Sequence, residues 1–184
     1  MFAFKFLGSG AVAPITRRPW PRPTGDAPGE WLEAAGPLAP CTTGVHACRA
    51  EDLAHWVYDE LWIIELDGEW IVGEDSVVAR RGRLVRPVEG WQGPLGARFA
   101  EEASAHARAI VEAAPPARQE AVATYLAVSS QFAGMGNAMV ASYMAAVTVA
   151  RVGEPSEIGT AYRRERAFQS ALLARAADPD GLIR

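Results

Sequence analysis

The chain has 184 residues, 49 % of them hydrophobic and 22 % charged, a composition that suits one sizeable globular core and excludes disordered, collagen-like and coiled-coil classes. Its net charge of -4 comes without a basic run able to neutralise several phosphates, so nucleic acid is not expected as a partner. The opening MFAFKFLGSG is too short and too weakly charged for a signal peptide, and the longest weakly polar run, residues 132–150, is interrupted by Gly134, Gly136, Asn137, Ser142 and Thr148. A cytoplasmic protein with no membrane partner is the expectation, and its two cysteines, Cys41 and Cys48, would then be thiols unless they bind metal.

Phe2, Phe4 and Phe6 alternate with Ala3, Lys5 and Leu7, the period of a strand that buries one face. Seven prolines between residues 8 and 40 remove amide donors and fix φ, so a long ordered loop follows, with a short strand near residues 30–33 and the role of a lid. Residues 44–48 read as a strand, 51–57 as a short helix and 61–66 as a strand that turns at Asp67-Gly68 into 69–72. A second hairpin, 77–80 with 83–88, is expected to turn at Arg81-Gly82.

The second half is alanine-rich and periodic. Phe99, Ala103, His106 and Ile110 recur at helical spacing, and Pro115-Pro116 separates that helix from one carrying Val122, Leu126, Ser129 and Phe132. Gly134 and Gly136 predict a bend or break, with Met139, Tyr143 and Val147 beyond it. The last helix is expected after Pro155, capped by Ser156, with Ile158, Ala161, Phe168 and Leu172 turned inward. The fold class is therefore α+β: a mainly antiparallel sheet with a long Pro/Trp-rich loop in residues 1–93, packed on three to four helices in residues 94–184 as one compact unit.

The densest reactive cluster is Cys41, His46 and Cys48. If residues 44–48 are extended, His46 and Cys48 share a face, and a turn before Gly44 could bring Cys41 beside them. Thiolates and imidazole suit zinc, iron or copper, and three such ligands leave an open position. A thiol nucleophile with His46 as base is the second reading, and a structural anchor for the loop the third. Glu65 shares a strand face with Leu61 and Ile63, where a half-buried carboxylate suits acid or base work. His46, Cys48 and Glu65 are thus the catalytic candidates. Trp20 and Trp56 are candidate ligand-stacking rings, His106 a candidate acid, base or ligand facing the sheet, and Gln131 and Asn137 candidate cavity-lining groups at the glycine break. Glu165 lies near Arg163, Arg164 and Arg166, and an ion pair that fixes helix packing is expected there. Arg80, Arg81, Arg83 and Arg86 form either an anion clasp or a solvated face.

The string Cys41-x-x-Gly44-Val45-His46-Ala47-Cys48, followed by Asp52-Leu53, Trp56, Leu61-Trp62 and Glu65-Leu66-Asp67-Gly68, resembles a pattern in actinobacterial proteins of unassigned activity and in some phage-encoded ones; Glu165-Arg166 and Gln169 extend it. The resemblance implies a bacterial source and that the cluster matters. The order strand, short helix, strand over residues 44–66 also resembles ADP-ribosyltransferase-like folds, which implies NAD as a substrate. No catalytic glutamate of that pattern is identifiable among Glu69, Glu74 and Glu89.

These observations predict a small-molecule enzyme or ligand-binding protein accessory to a bacterial metabolic pathway, its pocket between sheet and helices. The alternative is a structural or partner-binding protein whose helices form a homodimer seam. The third reading is NAD-dependent transfer of the ADP-ribosyltransferase kind.

Overall fold

The computed structural model describes residues 1–178 and residue 183. The chain is α+β: an antiparallel sheet of five strands is followed by four α-helices. It divides into two compact units, one of Met1–Glu89 with Ala174–Arg184 and one of Gly90–Leu173.

In the sheet unit, β1 (Phe2–Leu7) pairs antiparallel with β4 (Glu60–Val72), which pairs with β5 (Val77–Pro87). Two short strands, β2 (Leu32–Glu33) and β3 (Val45–Ala47), pair with successive stretches of β5. A 3-10 turn, Ala50–His55, stands where a short helix is expected. Phe4 and Cys48 exchange both backbone hydrogen bonds, at 2.9 and 2.7 Å. This single bridge brings the ladder β1-β4-β5-β3 back to β1 and shortens the open edge that invites mispairing.

The two predicted hairpins are one. β4 and β5 run uninterrupted and turn at residues 73–76, where the Gly73 amide donates to the Ser76 carbonyl. Asp67-Gly68 does not turn the chain: Gly68, at φ +78, lies within an irregularity between Asp67 and Trp70 that bends β4. Nor does Gly82 make a turn. A Cβ there would come within 2.7 Å of Val45 Cγ1 and 3.0 Å of Leu66 Cδ2, so glycine permits close packing of the strand.

One face of the ladder gathers Ala3 and Leu7 of β1, Val45 of β3, Ile64 of β4 and Leu84 of β5 into a single apolar cluster, which Ala11 and Trp20 of the proline-rich loop complete. The loop is held by side chains where its prolines forbid a ladder. The Ser9 amide and hydroxyl donate to Asp59 Oδ2, and the Gly10 and Ala11 amides donate to the Glu60 carboxylate at 2.8 and 3.1 Å. Trp62 Nε1 donates to the same carboxylate, and the Gly29 amide donates to Leu84 O at 2.8 Å.

In the helical unit, α1 (Pro94–Glu112) and α2 (Pro116–Gly134) each begin on a proline, which the first turn accommodates because its amide needs no partner. The predicted break occurs after Gly134, and Asn137 caps α3 (Ala138–Val152) by accepting from the Val140 amide at 3.0 Å. Ala103, Ala107 and Ala145 pack together between α1 and α3, where small side chains allow close approach. Ser129 Oγ, fully buried in α2, donates to Ala141 O of α3 at 2.9 Å.

Ser156 lies in a 3-10 turn, Pro155–Glu157, and α4 (Ile158–Ala177) begins after it. The inward face of α4 differs from expectation. Ile158 and Phe168 are exposed, and the buried positions are Glu165, Arg166, Gln169, Ser170, Leu173 and Ala177. Most of their polar groups pair with one another or with His106 and Ser142, and only Arg166 Nε is left without a partner among the described residues, so the buried stripe of this helix is largely polar. Among the described residues no helix is long and apolar enough to cross a membrane.

Candidate functional site

The Cys/His cluster is tied into backbone. His46, half-buried on β3, places Nδ1 3.1 Å from Gly44 O and accepts the Cys41 amide on Nε2 at 2.9 Å. This fixes the tautomer with the proton on Nδ1 and occupies the lone pair that a metal or a substrate proton would need. Burial lowers the imidazole's pKa, opposed by the Gly44 hydrogen bond and assisted by Lys5. Cys48 is buried, and burial pushes its thiol up to about 12, so it is a neutral thiol and not a poised nucleophile. Cys41 is exposed, with φ +60. Among the described residues no group of three His, Cys, Asp or Glu could hold a metal ion, so Cys41, His46 and Cys48 do not assemble as ligands. The arrangement is a clasp for the loop preceding β3. Replacing His46 with alanine should lower stability by about 1–3 kcal/mol, measured by urea denaturation, because the Cys41 amide and Gly44 carbonyl lose their partner.

Glu65 is not a free carboxylate. Its Oε2 lies 2.7 Å from Arg83, the cross-strand neighbour, and Arg83 and Arg81 also lie over the Trp31 ring at 4.5 and 4.8 Å. Arg81 pairs with Asp67, and Arg80 with Glu69 and the Ala34 and Gly36 carbonyls. These three arginines are therefore committed to loop and strand and do not form an anion clasp. Trp56 donates its indole N–H to Asp75 O at 2.6 Å and so pins the β4–β5 turn.

Lys5 carries a feature that the strand pattern alone conceals. Its Nζ donates to His46 O at 2.5 Å and sits 4.8 Å from the centre of the Trp20 ring. Burial pulls the ammonium down to about 8, with Cys48 opposing. The signal available in the sequence is that Lys5 is the sole lysine and lies on a strand face between Ala3 and Leu7.

The helical unit holds the strongest constellation. Glu165, 2 % exposed, accepts from Gln169 Nε2 at 2.9 Å on Oε1 and meets His106 Nδ1 at 2.9 Å on Oε2. Gln169 also donates to Ser142 O at 3.1 Å and accepts from Arg166 Nη1 at 2.9 Å. The network thus joins α1, α3 and α4. The His106 ring stacks on Phe168, with centroids 3.7 Å apart, and its side chain remains 34 % exposed. Arg166 is buried, lies beside the Tyr143 and Tyr162 rings, and leaves Nε without a hydrogen-bond partner. Burial pushes the Glu165 carboxyl above its ordinary value against the pull of His106, Gln169 and Arg166, and burial also lowers Arg166.

Of the remaining candidates, Trp20 is buried in the sheet unit's apolar cluster, Gln131 is exposed on α2, and Asn137 is committed as a helix cap. An open groove of about 590 Å³ runs between α1 and α2, lined by Arg108, Glu112, Gln119 and Ser130 among others, and does not include His106. Compared with family models, curated proteins and solved structures, the chain matches none.

Proposed function

We propose that the chain is a small-molecule enzyme or ligand-binding protein, accessory to a bacterial metabolic pathway, whose chemistry is proton transfer at His106. The observation that carries this reading is the pairing of a half-exposed imidazole with a buried carboxylate. An imidazole held through Nδ1 by a carboxylate has its ring orientation and tautomer fixed, so that Nε2 acts as base when neutral and acid when protonated. Phe168 keeps the ring plane in place, and Arg166 joins the same network by donating from Nη1 to Gln169.

A structural or dimer-forming role is the second reading. It is supported by the large side chains Met139, Tyr143 and Phe168, which are 40 %, 49 % and 38 % exposed.

A thermal-shift panel of carboxylates, sugar phosphates, nucleotides and NAD separates these readings, with the oligomeric state measured alongside. At least one class should raise the wild-type midpoint by several degrees at roughly a hundredfold excess over its Kd. His106→Asn should abolish that rise while keeping its own ligand-free midpoint within a few degrees. A panel without any shift, or a shift unchanged in the variant, rules the proton-transfer reading out. A dimer with no ligand response favours the second reading, and a midpoint indifferent to NAD removes ADP-ribosyl transfer.

A further inference from the structure

We infer that the edge of β4 over residues 67–72 is a docking surface for the same strand of a second copy of this chain, the two sheets joining antiparallel about Ile71. β1 covers β4 only as far as Leu66, whose amide donates to Met1 O at 2.8 Å. Beyond it, among the described residues, no strand lies on that side of β4. The Gly73 amide donates to Ser76 O, which makes these two a hydrogen-bonded pair. Two residues back, Ile71 therefore exchanges its bonds with Val78, and the amides and carbonyls of Trp70 and Val72 point away from β5. They form an open edge of the kind that templates another strand.

The side chains add to what the backbone offers. Trp70 and Val72 stand opposite Ala79 and Val77 of the apolar cluster, so they continue that face of the sheet, yet they are 52 % and 53 % exposed. Natural edges are blunted by lysine or proline, and residues 67–72 hold neither. A second β4 fits in one register. With Ile71 opposite its own copy, Trp70 of each chain meets Val72 of the other, every outward amide and carbonyl of these residues finds a partner, and the indole packs on a β-branched side chain. The same register sets Glu69 opposite Gly73 and Glu74 opposite Gly68, so no two carboxylates face each other within the ladder. Glu69 and Asp67 are already paired with Arg80 and Arg81 of their own chain, and the bend at Gly68 ends the ladder before Asp67. A strand edge is narrower than the roughly 20–30 residues a side of a standard interface, so the dimer is weak, with a Kd of about 10–500 μM.

Sedimentation equilibrium of the full chain from about 5 μM to about 1 mM tests this, with amide hydrogen exchange followed by NMR over the same range. The average mass is expected to rise from one chain towards two. The Trp70 and Val72 amides should gain protection with concentration, while the Ile71 amide, already bonded to Val78, stays unchanged. Trp70→Lys, at a half-exposed position, should weaken association at least about tenfold and leave the thermal midpoint within a few degrees. Val72→Pro removes an outward amide and serves if the first variant does not fold. In a Cys41→Ser background, Ile71→Cys should form an intermolecular disulfide under mild oxidation, since a non-hydrogen-bonded antiparallel pair brings its Cα atoms to about 4.5 Å. A chain that stays monomeric at the highest concentration overturns the inference; protection of the two amides only on adding the peptide acetyl-Thr-Val-Thr-Val-Thr-amide would then assign the edge to a foreign strand. A dimer that survives both edge variants and is lost in Tyr143→Arg overturns it as well, by placing the contact on the helical unit. The proposal is independent of His106, so its failure leaves the proton-transfer reading untouched.

Discussion

Glu165→Ala is expected to lower stability by about 3–5 kcal/mol, read as a fall in the urea midpoint at unchanged slope. The carboxylate is 2 % exposed and accepts from two side chains, Gln169 and His106, on two different helices. Its removal leaves Arg166 as a buried cation whose Nε already lacks a partner and whose remaining support is Gln169 and two tyrosine rings. Gln169 retains Ser142 O, so α3 and α4 stay linked, but His106 loses the group that orients it.

Glu165→Gln separates charge from shape. Burial raises the Glu165 pKa, so the folded state holds a proton that the unfolded chain has released. Such a group contributes stability that is full below the unfolded value, near 4.5, and is lost as pH rises through the folded value. Glutamine has no proton to lose. The wild type should therefore lose stability relative to Glu165→Gln as pH rises from about 4.5, measured as the difference in thermal midpoints. A difference that stays flat with pH would show that the network compensates the charge in full.

The sequence carries its elements more faithfully than its faces. The Phe/Lys/Phe alternation marks β1, and Pro94, Pro116 and the Gly134–Asn137 segment mark the ends of three helices, because these signals are local. Asp67-Gly68 and Arg81-Gly82 mislead for a physical reason: glycine also serves bulges and close strand packing, and only the partner strand decides between these uses. On α4 Phe168 is exposed because much of the buried stripe is polar, and its carboxylate, Glu165, is satisfied in part by a histidine 59 residues away. No local pattern reveals such a pairing. The Cys41/His46/Cys48 string has the residue types of a reactive site, yet both nitrogens of its imidazole meet backbone atoms.

Lys5→Met should make the protein more stable at pH 7, by about 1–3 kcal/mol, because it removes an enclosed charge and keeps an unbranched stem of similar length. The folded pKa of Lys5, about 8, lies below the unfolded 10.5, so between these values the unfolded chain binds the proton that the folded one has lost. Stability of the wild type must then rise with pH across that window, and below about 8 the full penalty applies. The gap between Lys5→Met and wild type should be widest at pH 7 and should close towards pH 10.5, as followed by urea midpoints. A variant that is less stable at every pH would mean that the His46 carbonyl and the Trp20 ring outweigh desolvation.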